Sequence, residues 1–220
     1  PGEAADLLSA ITKPERPRVR GDLAAPVMML QTEGDTVGLL SSSSVRQDDS
    51  ATFRLWEVAG TAHADRHLLG PAADLIMCDD PVNDGPLHLV AKAAFHGLET
   101  WIRTGVAPPT APRLDVDRSD DGPIIVRDAD GIALGGIRTP PTDVPVDVLS
   151  GEPTSTSVIC MLLGATLPLS DVRIAELYAS RAAYETAFAA SADATIAAGF
   201  VLADDRDVLI AYAKPERVNP

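Results

Sequence analysis

The sequence predicts an α/β protein built around parallel strands, and three observations carry that prediction. Val27-Met28-Met29-Leu30-Gln31 is a continuous apolar run of strand length, Phe53-Arg54-Leu55-Trp56-Glu57-Val58 is a second, and the strongest helical periodicity comes soon after them. Runs that are apolar on both faces suit the interior of a parallel sheet, whose two faces are covered. Parallel neighbours need a crossover of about a dozen residues or more, and the interval between the two runs supplies it.

The elements follow in order. Residues 1–25 are mixed, with an apolar patch at Leu7, Leu8 and Ile11 and a basic stretch in which Pro14 and Pro17 forbid a helix. Pro26 opens the first strand, and Thr32-Glu33-Gly34-Asp35 closes it as a turn. The serine tract Ser41-Ser42-Ser43-Ser44 leaves room for a short crossover helix at most. The second strand ends in Ala59-Gly60-Thr61-Ala62-His63-Ala64-Asp65. A helix is predicted over 86–104, because Leu87, Val90, Ala94, Leu98, Trp101 and Ile102 recur at three- and four-residue spacing. Asp84-Gly85-Pro86 offers it a capping acid and a proline near the first turn, and Gly105 stands where a left-handed C′ residue belongs. Ala107-Pro108-Pro109-Thr110-Ala111-Pro112 is a stiff, extended linker. Beyond it, Pro123-Ile124-Ile125-Val126-Arg127 and Gly131-Ile132-Ala133-Leu134 flank Asp128-Ala129-Asp130 as a small hairpin. After a segment rich in Gly and Pro, 135–145, helices are predicted at 170–180, 181–198 (stopped by Gly199) and 205–213.

Composition bounds the function. With 45% hydrophobic and 23% charged residues over 220 positions, the chain is globular and long enough for a real core. A net charge of −14 repels phosphate backbones and anionic lipid surfaces, so nucleic acid and membranes are not expected partners. No apolar run spans a bilayer, the opening Pro1-Gly2-Glu3 does not read as a basic-then-apolar leader, and a signal peptide is expected, if at all, upstream of it. Cys78 and Cys160 are too few for a disulfide framework or a thiolate zinc site; a single bridge between them is allowed, and as free thiols they read as small buried hydrophobes.

Asp35 and His63 form the informative constellation, each in the turn that follows a strand. Functional groups of open α/β sheets gather at the carboxyl ends of the strands. A carboxylate that accepts the Nδ1–H of an imidazole fixes its tautomer and leaves Nε2 to take a proton from a nucleophile. Glu33, two residues from Asp35, is the alternative acid.

Several segments together resemble a bacterial family called alpha/beta hydrolase domain proteins. They are RLWEVAGTAHAD (54–65), PVNDGP (81–86), the helix with Trp101, APP (107–109), GGIRTP (135–140), DVPV (143–146) and LY…RAAY…AAGF (177–200). The resemblance implies the C-terminal part of an α/β-hydrolase fold. Residues 1–106 would hold its last two parallel strands and C-terminal helix, and 107–220 a family-specific extension packed on that core. It implies hydrolysis of a small-molecule ester or related acyl bond, with Asp35 orienting His63 and no metal or organic cofactor. The fold also needs a G-x-S-x-G elbow, and no serine of this sequence lies in one. The serine and oxyanion donors are therefore expected upstream of Pro1, and the 220 residues alone are expected to lack turnover. The contrasting expectation is a catalytically inactive scaffold or interaction module. The unpaired strand edge left by missing strands would let the chain associate with another copy.

The remaining polar residues have plainer readings. His63, Asp65 and His67 spell H-x-D-x-H but lack a third convincing metal ligand, and His88 and His96 read as partly exposed helix residues. Gly135-Gly136 would admit a close backbone approach. Arg138 is a candidate for an acidic substrate group, against a salt bridge to a neighbouring carboxylate. Glu57, Trp56, Trp101, Tyr178 and Tyr184 read as structural.

Overall fold

The computed structural model of the chain describes residues 18–38, 40–120, 122–152, 157 and 159–218. The apolar patch at Leu7, Leu8 and Ile11 and the prolines Pro14 and Pro17 lie outside the described residues.

The two predicted strands form as β1 (Val27–Thr32) and β2 (Phe53–Val58) and pair in parallel, from Val27 opposite Phe53 to Thr32 opposite Val58. Among the described residues, their crossover holds only short helical pieces, one at its start and a 3-10 turn, Ser42–Val45. The two strands end level. The segments that leave them, α1 (Glu33–Val37) and the loop at 59–65, therefore emerge side by side. A single turn, α2 (Arg66–Leu69), follows the second loop, and α3 (Leu87–Thr104) is the predicted amphipathic helix.

Successive strand residues point to opposite faces. Trp56 and Val58 turn one way, into a core with Leu89, Val90, Ala93 and Ala94 of α3, Ile137, and Ala192, Val201 and Leu209 from the tail. Ala59 turns the other way and packs with Val37, Leu114, Ile125 and Ala133. Residues on both sides of the proline linker thus share each core. The linker is itself docked: the Trp56 indole N–H donates to the Pro109 carbonyl at 2.9 Å and Arg54 Nε to the Pro108 carbonyl at 3.0 Å. Gly105 ends α3 at φ +77°, as its position predicts, but no side chain caps the other end. Pro86 is the N-cap residue, and the Asp84 backbone N–H donates to Thr166 Oγ1 instead.

In the tail, β3 (Val116–Ser119) pairs antiparallel with β4 (Gly122–Ile125). The predicted hairpin is thus displaced: its first arm pairs backward, and its second arm meets it through the lone bridge between Arg127 and Ala133. Asp128 Oδ1 accepts the N–H groups of Asp130 and Ile132, each at 2.9 Å, and this side-chain turn takes the place of further ladder. After α4 (Pro140–Asp143), an antiparallel pair that the sequence does not announce appears, β5 (Asp147–Ser150) with β6 (Ala165–Pro168). Four-residue strands bounded by Gly and Pro carry too little periodicity to register. The three predicted helices form as α5 (Asp171–Leu177), α6 (Arg181–Ala197) and α7 (Arg206–Ile210), the first two capped by the Ser170 and Ser180 hydroxyls. They close a core of Val144, Val146, Leu169, Ile174, Tyr184, Phe188 and Val218.

Cys78 and Cys160 are disulfide-bonded. The reading as two separate buried thiols is replaced by a staple between the segment before α3 and the turn before β6. Among the described residues, no helix is long and apolar enough to cross a membrane.

Candidate functional site

The site lies where β1 and β2 end. Thr32 is the N-cap of α1: its hydroxyl accepts the Asp35 N–H at 3.1 Å, and Asp35 Oδ2 accepts the Thr32 N–H at 3.0 Å. This reciprocal box satisfies two orphan donors and fixes the Asp35 carboxylate. Its other oxygen, Oδ1, lies 2.7 Å from Nδ1 of His63. The two candidate residues, 28 positions apart, are in direct contact. The Asp35 side chain keeps 10% of its surface exposed and the His63 side chain 48%, so the carboxylate is sheltered while the imidazole faces outward. A carboxylate beside Nδ1 favours the tautomer that carries its proton there, which leaves Nε2 as the acceptor nitrogen, and no described residue hydrogen-bonds it. Such an imidazole can accept a proton at Nε2 and return it.

Glu33 does not compete for the histidine. Burial pushes its carboxyl above the ordinary carboxylate range, against the pull of Arg127 and the Gly60 and Gly151 N–H groups. Oε2 accepts from Gly60 N–H at 2.8 Å. Oε1 accepts from Gly151 N–H at 3.1 Å, from the Ser150 hydroxyl at 3.3 Å and from the Arg127 guanidinium. The alternative acid is a buried pin that joins the acid turn, the histidine loop and β5. The backbones themselves touch here: a Cβ at Gly34 would sit 2.6 Å from the Gly151 carbonyl oxygen, and one at Gly151 would sit 2.3 Å from Gly34 N and Thr61 O. Neither position accepts a side chain without moving another segment.

The histidine loop is held from its other side as well. Ala64 N–H donates to Leu162 O and Asn83 N–H to Leu163 O, both at 3.0 Å, next to the Cys78–Cys160 bond. The buried Asn83 amide donates to Gly60 O at 3.1 Å and to Ser150 O at 3.0 Å, while its oxygen accepts from Gly85 N–H at 2.9 Å. Sequence reasoning singled out PVNDGP without assigning Asn83 a role. An amide set among glycines and prolines is the only trace of it in the sequence.

The other candidates resolve simply. Arg138 does not present a free guanidinium: it pairs with Asp143 and donates to the carbonyls of Ala133 and Thr142, holding α4 against the preceding bridge. Asp65 caps α2 by accepting Leu68 N–H at 2.8 Å, and the His67 ring stacks on His88 with centroids 3.5 Å apart. Among the described residues, no group of three His, Cys, Asp or Glu side chains is placed to hold a metal. Glu57 is structural, forked by Arg46 at 2.7 and 2.6 Å and accepting Leu114 N–H. The Gly135-Gly136 pair does lie against backbone and side chain of residues 113–115.

An acid and a histidine in the turns after two parallel strands define the class, an α/β protein with a hydrolase-type fold. The chain belongs to the family described as "Alpha/beta hydrolase domain", which matches residues 2–211. No curated protein and no solved structure is significantly similar to it.

Proposed function

We propose that this chain supplies the acid and base of a serine-type hydrolase acting on a small-molecule ester or related acyl bond. The observation that carries the reading is the 2.7 Å contact between Asp35 Oδ1 and His63 Nδ1 on a half-exposed imidazole, whose Nε2 no described residue hydrogen-bonds. In the reaction, a serine hydroxyl attacks the acyl carbon while His63 Nε2 takes its proton. His63 then gives that proton to the departing alkoxide, leaving an acyl-serine and a free alcohol. A water molecule attacks the acyl-serine, His63 takes the water's proton and returns it to the serine, and a carboxylic acid leaves. Asp35 stabilises the imidazolium that forms twice in this cycle. The serine and the oxyanion donors come from outside the residues described here.

A second reading, an inactive scaffold, is favoured by one observation: no described serine hydrogen-bonds His63. Assay of the natural full-length polypeptide on a panel of esters, together with labelling by a fluorophosphonate, separates the two. Hydrolysis that His63→Ala reduces by about a thousandfold or more supports the hydrolase reading. Absence of both turnover and label supports the scaffold.

A further inference from the structure

Beside His63 lies an open pocket of about 210 Å³, bordered by His63, Asp65, His67, Leu68, Leu87, His88 and Ala91. We infer that this pocket is the subsite for a neutral apolar group of the substrate, an alkyl chain of about six carbons or a single aromatic ring. The inference rests on the proposed role of His63 and adds the class of substrate. Size comes first: an apolar cavity of about 150 Å³ admits a benzene ring, so the space fits one ring or a short chain but not a long acyl tail. The lining comes second. Leu68, Leu87 and Ala91 contribute only hydrocarbon, and the stacked His67 and His88 rings, 8° from parallel, present a flat wall. Burial, with His67 and Lys92 adding, pushes His88 down to about 4, so that imidazole is neutral at physiological pH.

Charge is the third argument. Arg66 is paired with Asp74 and Lys92, which lies near His88, with Asp205, while the Asp65 carboxylate lines the pocket in a chain of net charge −14. An anionic group would lose its hydration here and meet the Asp65 carboxylate, while both of these cations already hold carboxylate partners. Leu68, 71% exposed, stands at the mouth, where a bound alkyl chain would cover it.

The test reads binding without turnover. Isotope-labelled protein is titrated with 1-alkanols from propanol to octanol, with benzyl alcohol, and with hexanoate as the charged control, while the His63, His67 and His88 ring signals and the Ala91 methyl are followed. Affinity should rise about fourfold per methylene as far as hexanol and then level off. Hexanoate should bind about tenfold more weakly than hexanol. Ala91→Phe, which fills the pocket, should abolish the shifts, and the surface change Leu68→Glu should weaken them. Shifts centred elsewhere, equal binding of hexanoate, or indifference to both substitutions would overturn the assignment. Hexanol bound here by a full-length protein that cleaves no ester overturns the hydrolase reading alone. Hydrolysis dependent on His63 with no alkanol binding here overturns the subsite alone.

Discussion

Glu33 and Asp35 are carboxylates two residues apart on one turn, and their surroundings are opposite. Glu33 is wholly buried and receives two backbone N–H groups, a hydroxyl and a guanidinium. Asp35 receives one backbone N–H through the capping box and spends its second oxygen on an imidazole that faces outward. A carboxylate saturated with fixed donors has no capacity left for a proton in motion, whereas one with a single mobile partner does. Residue type and position in the chain do not separate the two; their hydrogen-bond partners do.

Substitution tests that contrast directly. In the full-length protein, Asp35→Asn should lower kcat by about 10³- to 10⁴-fold while the midpoint of denaturant unfolding moves little, because the asparagine holds the cap but presents the wrong partner to Nδ1. A kcat within tenfold of wild type would break the comparison. Glu33→Ala should do the reverse. It takes from Arg127 one of its two carboxylate partners, Glu152 being the other, and leaves the Gly60 and Gly151 N–H groups without their acceptor, which costs about 3–5 kcal/mol in urea unfolding; Glu33→Ala with Arg127→Met should recover only part of it.

The disulfide sharpens the comparison on the histidine side. It links residues 82 positions apart and braces the carbonyls that hold Ala64 and Asn83. Cys78→Ser with Cys160→Ser should cost about 2–4 kcal/mol. Amide exchange should rise at Ala64 and Asn83 more than at Leu30 or Gln31. Thr32→Ala, which removes half of the capping box, should cost about 1 kcal/mol and move the His63 ring signals.

The smallest effect expected is that of pH through His88. Its folded value, about 4, lies below the ordinary 6.5, so the unfolded chain binds the proton first. The stability it contributes is full above pH 6.5 and is lost as pH falls toward 4. The ring is only partly buried, and allowing for its remaining exposure limits the loss to about 1 kcal/mol. Thermal unfolding of His88→Asn against wild type across that window should show a flatter profile for the variant.

Much of this was legible in the sequence. The apolar runs at 27–31 and 53–58 gave the strands, the spacing of Leu87, Val90, Ala94 and Trp101 gave the long helix, and the positions of Asp35 and His63 just past strand ends marked them as a pair. These are local signals, set by side-chain periodicity and by turns within a few residues. The antiparallel pair of β5 and β6 was not legible, because its strands are four residues long and owe their pairing to partners distant in sequence. Arg138 was ambiguous for a similar reason: whether a guanidinium is free depends on carbonyls and carboxylates that only the folded chain brings to it.

By itself, then, the sequence determined the class of fold, the order of its main elements, the family and the two residues at the strand ends. The tertiary structure alone decided which carboxylate faces the histidine, that Glu33 is bound to Arg127, Gly60 and Gly151, that Asn83 ties the histidine loop to β5, and that Cys78 meets Cys160. The physical reason is range. Periodicity and turn chemistry are written in neighbouring residues, but the burial of a charge and the choice of its partners are set by segments that meet only when the chain has closed on itself.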